Sequence, residues 1–250
     1  MELLFLGSGT STGVPQIGCK CGVCTSADSK DKRLRASVLI TEGKTSILID
    51  CGPDLRQQLI HYEIDNLSGI FLTHEHYDHI GGLDDIRPLG GVNVYAEKKV
   101  LGVIKRNMPY CFVENRYPGV PTINLNEITE QQFKINNLIV QPIRIMHASL
   151  PILGFRIGKI AYLTDVKTIN EKSIELLKDL DILVINALRL NKHFSHLSVE
   201  EALIMADRIG AKRTYFTHIS HDMGLHEIMN KLLPENIYLS YDGLKLTVSP

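Results

Sequence analysis

The 250 residues carry 27 Lys and Arg against 28 Asp and Glu, a formal net charge of −1. That balance excludes a general electrostatic pull toward nucleic acid or an anionic membrane. No stretch has the apolar length of a membrane span, and Met1-Glu2-Leu3 lacks the basic start of a signal peptide, so a cytoplasmic location is expected. Hydrophobic residues make up 44% of the chain, ample for a buried core, and no repeat or linker divides it. The five cysteines are an odd number with three inside six residues, a poor disulfide framework that suggests metal binding in a reducing compartment.

In chain order, the first strand is expected at Leu3–Leu6. The Gly7-Ser8-Gly9-Thr10-Ser11-Thr12-Gly13-Val14-Pro15 segment that follows suits either a tight turn or a cradle of amides for phosphate. Cys19-Lys20-Cys21-Gly22-Val23-Cys24 then supplies three soft ligands. Three thiolates and one imidazole make a closed, structural zinc site, with His221 as the first choice of fourth ligand and His226 the second; the alternative is three reduced thiols without metal. Arg33 and Arg35 suit a terminal phosphate or a solvated face. Further strands are expected at Ser37–Thr41, Ser46–Ile49, Gly69–Leu72, Val92–Tyr95, Leu138–Ile145, Ile160–Leu163, Ile182–Ile185, Arg213–Phe216 and Leu244–Val248. Helices fit Asp54–Tyr62 behind Pro53, Glu171–Leu180, the run opened by the capping box Ser198-Val199-Glu200-Glu201, and Leu225–Leu233. About ten strands interleaved with helices suggest two packed sheets with helices outside, in one domain spanning 1–250. Residues 98–121 mix basic, aromatic and proline residues, as in a surface loop, a cap over the active site or a homodimer contact.

His74-Glu75-His76-Tyr77-Asp78-His79 carries the most chemistry. Three imidazoles and a carboxylate in six residues are costly to bury without partners and are ligands for zinc, manganese or iron. If the chain stays extended there, His74, His76 and Asp78 share one side and His79 turns toward a second ion. Two coordination spheres need distant ligands. His147, Asp165 and His218 each end an apolar run, where a strand would deliver them to the same sheet edge. Asp50 ends Ile47-Leu48-Ile49 in the same way. His193 and His196 precede the capped helix, Cys51 and Cys111 read as packing residues, and His61 as a surface residue.

The order His74-x-His76-x-Asp78-His79, His147, Asp165, His218 resembles the metallo-β-lactamase superfamily over nearly the whole chain. The resemblance implies an αββα sandwich and two divalent metal ions, zinc or manganese. His74, His76 and His147 would hold one ion and Asp78, His79 and His218 the other, with Asp165 bridging and Asp50 orienting a ligand. The Gly-rich opening and cysteine cluster look like the phosphoribosyl 1,2-cyclic phosphate phosphodiesterases, and a related cluster occurs in the pyrroloquinoline quinone biosynthesis protein B group. In the phosphodiesterases a histidine matching His221 completes a structural zinc site, and one matching His196 serves as acid or phosphate contact.

The implied reaction is attack of a metal-bridging hydroxide on a small, cyclic ribosyl phosphodiester, with Asp78 orienting the nucleophile and His196 aiding the leaving oxygen. A tRNA 3′-processing endonuclease would share the ligands, but it usually carries a long arm and a more basic surface. A thioesterase-like hydrolase and a non-catalytic metal-binding accessory protein of the same fold are the remaining alternatives. The expected partner is a small phosphodiester; no membrane is expected, and nucleic acid stays open as the less expected partner.

Overall fold

The computed structural model describes residues 1–248. The first sheet contains β1 (Glu2–Gly7), β2 (Ser37–Glu42), β3 (Thr45–Ile49), β4 (Gly69–Phe71), β5 (Gly91–Ala96) and β6 (Thr122–Glu127). The second contains β7 (Phe133–Ile135), β8 (Leu138–His147), β9 (Leu150–Ile157), β10 (Ile160–Leu163), β11 (Ile182–Asn186), β12 (Arg213–Thr217) and β13 (Ile237–Leu239). The last strand, β14 (Lys245–Thr247), returns to the edge of the first sheet beside β1. Each sheet has seven strands in nearly sequential order and is antiparallel at one side and parallel at the other. β3 to β6 run parallel in the first, and β10 to β13 in the second.

The runs of buried apolar residues follow from sheets covered on both faces. In β1, Leu3 and Phe5 point into the layer between the sheets, while Leu4 and Leu6 point under the outer helices. Phe71 and Phe155 meet in the inner layer with ring centroids 5.2 Å apart. On the outer face of the first sheet lie α2 (Leu55–His61), α3 (Tyr77–Ile80) and α4 (Lys98–Asn107). On the second lie α5 (Glu171–Glu175) and α6 (Val199–Ile209), with α7 (His226–Leu232) beside β13. A further turn, α1 (Gly22–Thr25), carries the cysteine loop. No helix among the described residues is long and apolar enough to cross a membrane.

Among the described residues there are fourteen strands rather than about ten. β6, β7, β9 and β13 escape the sequence pattern because they are short or polar edge strands or, in β9, because Pro151 and Gly154 interrupt the run. α5 stops at Glu175, well short of Leu180, and the chain turns through Asp179 at φ 58°. Residues 98–107 form a helix instead of a loop: Val100, Leu101 and Ile104 pack against the sheet between charged ends. The expected capping box is present, with Ser198 Oγ accepting from the Glu201 amide at 3.3 Å and Glu201 Oε2 from the Ser198 amide at 2.9 Å. Ser198→Ala should lower stability by about 1 kcal/mol, read as a lower urea midpoint with an unchanged slope.

Candidate metal centre

Much of the cluster is delivered by the carboxyl ends of strands. Asp50 follows β3, His74 follows β4 by three residues, His147 closes β8, Asp165 comes just after β10 and His218 follows β12. Asp50, Asp165 and His218 have φ of 62°, 57° and 55°, the left-handed region that non-glycine residues seldom occupy. The reversal stops each strand abruptly. Such strain, of order 1–3 kcal/mol each, persists only where surrounding structure enforces it. Here an amide clamp does so at one turn: Asn186, the last residue of β11, accepts from the Val166 amide and donates to the Val166 carbonyl.

The six-residue motif is not one extended segment. His76 is still extended (φ −65°, ψ 147°), but α3 begins at Tyr77, so Asp78 reaches the centre from a helical turn. The structure nevertheless brings the expected side chains together. The ligand atoms of His74, His76 and His147 lie within 4.8 Å of one another, as do those of Asp78, His79 and His218. Asp165 clusters with His74 and His79 on one side, and with His147 and His196 on the other.

Hydrogen bonds orient the rings. Asp50 Oδ2 accepts from His79 Nδ1 at 2.7 Å, turning Nε2 to the centre. The Ser195 carbonyl accepts from His147 Nδ1 at 2.9 Å with the same effect. Thr73 Oγ1 lies 2.9 Å from His74 Nδ1 and 3.0 Å from Asp50 Oδ1, linking those two residues. Thr164 Oγ1 donates to Asp165 Oδ2 at 2.8 Å.

His79 Nε2 and both nitrogens of His218 are buried without a hydrogen-bond partner. His79 Nε2 lies 3.1 Å from Asp165 and 3.2 Å from Asp78, and His218 Nε2 lies 3.3 Å from Asp165, without bonding alignment. Groups that crowd but do not bond point at a common centre, as ligands do. Unpaired buried nitrogens would otherwise be costly.

The electrostatics agree with that reading. Burial would drive His79 down, but Asp50, Asp165 and Asp78 override it and hold its pKa well above the usual histidine range. Burial would raise Asp165 and Asp78; facing histidines hold both below the usual carboxylate range. Burial, then the charge on His79, pushes His74 well down, leaving it neutral and able to ligate. Three carboxylates gathered in one largely buried space demand positive charge. Without a cation, the His79 proton helps supply it; a divalent ion would do so and release Nε2.

His196 sits against this cluster, its Nε2 2.6 Å from Asp165 Oδ1. Burial lowers its pKa to about 4, so its imidazole is neutral at neutral pH. Sequence reasoning missed what holds its loop. Lys167 Nζ donates to the carbonyls of His193 (2.8 Å) and His196 (3.3 Å) and to Glu201 Oε1 (2.8 Å). A lysine two residues after Asp165 and a capping-box glutamate give no metal signal on their own; only the fold joins them.

The cysteine cluster closes on His221. Its Nδ1 lies 3.3 Å from Cys19 Sγ and 3.4 Å from Cys21 Sγ, and with Cys24 all four ligand atoms fall within 4.8 Å. The Cys24 amide and His221 lower the Cys21 thiol to about 6, so it is a thiolate at neutral pH, while burial pushes Cys24 up to about 11. His226 is committed elsewhere: its Nδ1 lies 3.1 Å from Arg33 Nη2 and its amide donates to Asp31.

Arg33 is no phosphate ligand. It is buried, donating to Ser8 Oγ and the Ser240 carbonyl. Arg35 pairs with Asp54 at 2.9 Å. The Gly-rich opening is a turn rather than a cradle, because the amides of Gly9, Thr10, Gly13 and Val14 already donate to backbone carbonyls.

Residues 45–219 match the family model of the beta-lactamase superfamily domain, and the chain belongs to the metallo-β-lactamase superfamily. The crystal structure of a new diphosphatase from the PhnP family overlays with a TM-score of 0.93 at 39% identity, covering 99% of this chain and 98% of that one. Within the superfamily, the chain is a member of that PhnP family. Zinc-bound PqqB from Methylobacterium extorquens shares the fold, with 20% identity and a TM-score of 0.81 over 99% of this chain and 100% of that one. An octanoyltransferase of Porphyromonas gingivalis is 46% identical over 254 residues, covering 99% of this chain. The match takes in 52% of that protein, so the chain spans about half the length of this curated relative.

Asp50→Asn should weaken metal binding by about 10–100-fold in a chelator titration, because the amide keeps a single acceptor oxygen where Thr73 and His79 use two. In metal-stripped protein, Cys21 should be alkylated before Cys24 at neutral pH, and added zinc should protect both, as mapped by peptide mass spectrometry.

Proposed function

We propose that this chain is a phosphoric diester hydrolase that works with two divalent ions on a small ribosyl phosphodiester. The observation that carries the reading is the split donor set, three imidazoles on one side and Asp78, His79 and His218 on the other, with Asp165 in reach of both sides. His74, His76 and His147 would hold one ion and Asp78, His79 and His218 the second, with Asp165 between them. Bound there, the ions would supply an ionised water near neutral pH and neutralise charge on the phosphoryl oxygens. An all nitrogen and oxygen set, with Asp165 where a soft thiolate would change the preference, suits zinc or manganese. The 39% identical structure is that of a diphosphatase, which supports chemistry at phosphorus. A further zinc in the cysteine site would be structural.

The chain's own groups have defined tasks. Asp50, Thr73 and the Ser195 carbonyl fix three rings, so the donor atoms need little rearrangement during the reaction. Asp78 would also orient the attacking oxygen. A neutral His196 is better suited to donating a hydrogen bond to the phosphoryl or leaving oxygen than to giving up a proton.

The tRNA-processing alternative loses ground at residues 98–121. Residues 98–107 of this segment form a helix packed on the sheet, which leaves only a short loop before β6 where a long arm would stand. The octanoyltransferase name belongs to a protein about twice as long as the matched segment. An acyl carrier role for Cys51 is disfavoured too, because it is fully buried and burial raises its thiol pKa.

Metal analysis coupled to a panel of 1,2-cyclic, 2′,3′-cyclic and linear phosphodiesters tests the reading. Three ions per chain and turnover of at least one diester class are expected; fewer than two ions after loading would sink the two-ion mechanism. His196→Ala should reduce kcat by about 100-fold or more with metal content intact, and full activity would remove His196 from the mechanism.

A further inference from the structure

The stretch from Leu190 to His196 brings a histidine to the centre on a backbone with little support of its own. Among the described residues, none from Leu190 to His196 makes a main-chain to main-chain hydrogen bond; such bonds lie at the two ends, joining Leu188 to Leu197 and Val199 to Arg189. Packing adds little at Leu190 and Phe194, which are 51% and 79% exposed. His196 is nonetheless sharply placed, its Nε2 2.6 Å from Asp165 and its ring centroid 4.6 Å from that of His147. Two side chains reach the carbonyls around it: His147 Nδ1 donates to that of Ser195, and Lys167 Nζ to those of His193 and His196.

We propose that Lys167 is a positioning residue for the reaction: its ammonium group, anchored on Glu201, holds the His193 and His196 carbonyls and so sets the His196 imidazole against the metal ligands. The inference rests on the phosphodiesterase reading and deepens its account of that site. An ammonium group has three protons to donate. One goes to each carbonyl, at 2.8 and 3.3 Å, and one to Glu201, whose two oxygens lie at 2.8 and 3.0 Å. None is left for a substrate, so Lys167 acts through the loop and not on phosphate. Bonds from a charged donor are roughly twice as strong as neutral ones, which suits a stretch with no ladder of its own.

Both ends of this bridge are fixed. Glu201 belongs to the first turn of α6, where its Oε2 also accepts from the Ser198 amide at 2.9 Å. The Lys167 amide donates to the Met146 carbonyl at 2.7 Å, and the Met146 amide to the Thr168 carbonyl at 3.0 Å, which pins the lysine beside His147. The Val166 carbonyl accepts from the Leu197 amide at 3.1 Å. Three consecutive residues therefore present a ligand, tie the end of the loop and hold its middle. Losing the ammonium group would free His196 while Asp165 keeps the Asn186 clamp on the next residue and His147 keeps its place at the end of β8.

The test is steady-state kinetics of the metal-loaded protein on the diester it turns over best among the 1,2-cyclic, 2′,3′-cyclic and linear compounds. Lys167→Met keeps the side chain's length and removes its charge. It should lower kcat about tenfold or more, because a misplacement of about 1 Å can cost about 100-fold. KM should stay within about twofold, with metal content unchanged. In the His196→Ala background the same change should have little further effect, since the two substitutions remove one function. An unchanged kcat, a loss that follows metal content, or equal losses in both backgrounds would overturn the proposal. Glu201→Gln leaves the carbonyls their ammonium group but weakens its anchor; a smaller loss with the same dependence on His196 is expected, a second reading should Lys167→Met fold poorly. If the wild-type protein hydrolyses no diester, the phosphodiesterase reading fails by itself. The positioning is then judged from crystals of metal-loaded Lys167→Met: a His196 ring displaced by about 1 Å or more supports it, and an unmoved ring refutes it.

Discussion

The structure is organised around one unfavourable act, gathering three carboxylates and six imidazoles, all but His76 buried or half-buried, at one centre. Such groups repel or lose solvation unless a cation or a proton compensates them. Much else follows from that need. Paired sheets let strand ends converge from two directions, so that no single segment carries every ligand. Left-handed turns at Asp50, Asp165 and His218 end three strands abruptly at the place where ligands are wanted. Ring orientation is then fixed by groups that are not ligands: Asp50 for His79, and the Ser195 carbonyl for His147.

The cysteine loop supports the same centre from behind. His221 closes on Cys19 and Cys21, only three residues beyond His218. The N-terminal turn is tied to the same segment, because the Thr10 amide donates to the Ile219 carbonyl and the Ile219 amide to the Ser8 carbonyl. Arg33 adds a buried link from Ser8 to Ser240 and His226. A zinc ion among the thiolates would therefore brace the strand end that presents His218, a structural contribution to a catalytic position.

What was legible in the sequence was local or chemically rare. A His/Asp cluster of six residues, three thiols on a short loop and polar residues ending apolar runs are hard to reconcile with packing alone. The capping box at Ser198 was equally plain. Edge strands were not, since β6 alternates weakly and β9 is broken by Pro151 and Gly154. α4 was hidden because its three buried residues are flanked by lysines and an arginine. Nor could residue type expose Lys167, Asn186 or Thr73. Each is an ordinary residue whose role arises when distant segments meet. Arg33 shows the opposite error, an exposed-looking charge that the fold buries.

The glycines around the motif divide the centre mechanically. A Cβ on Gly52 would collide with the Asp78 carbonyl, and one on Gly82 with the Gly52 carbonyl, so these backbones touch with no side chain between them. The Cys51 amide donates to the His79 carbonyl, and the Gly82 amide to the Cys51 carbonyl, both at 2.8 Å. The segments bearing Asp50, Asp78 and His79 are thereby welded into one body. The wall formed by residues 189–198 is tied by backbone bonds at its two ends, whereas the His193 and His196 carbonyls between them are held by the Lys167 side chain. If the centre breathes during turnover, that wall is the softer jamb of the doorway, and the welded half is the frame against which it moves.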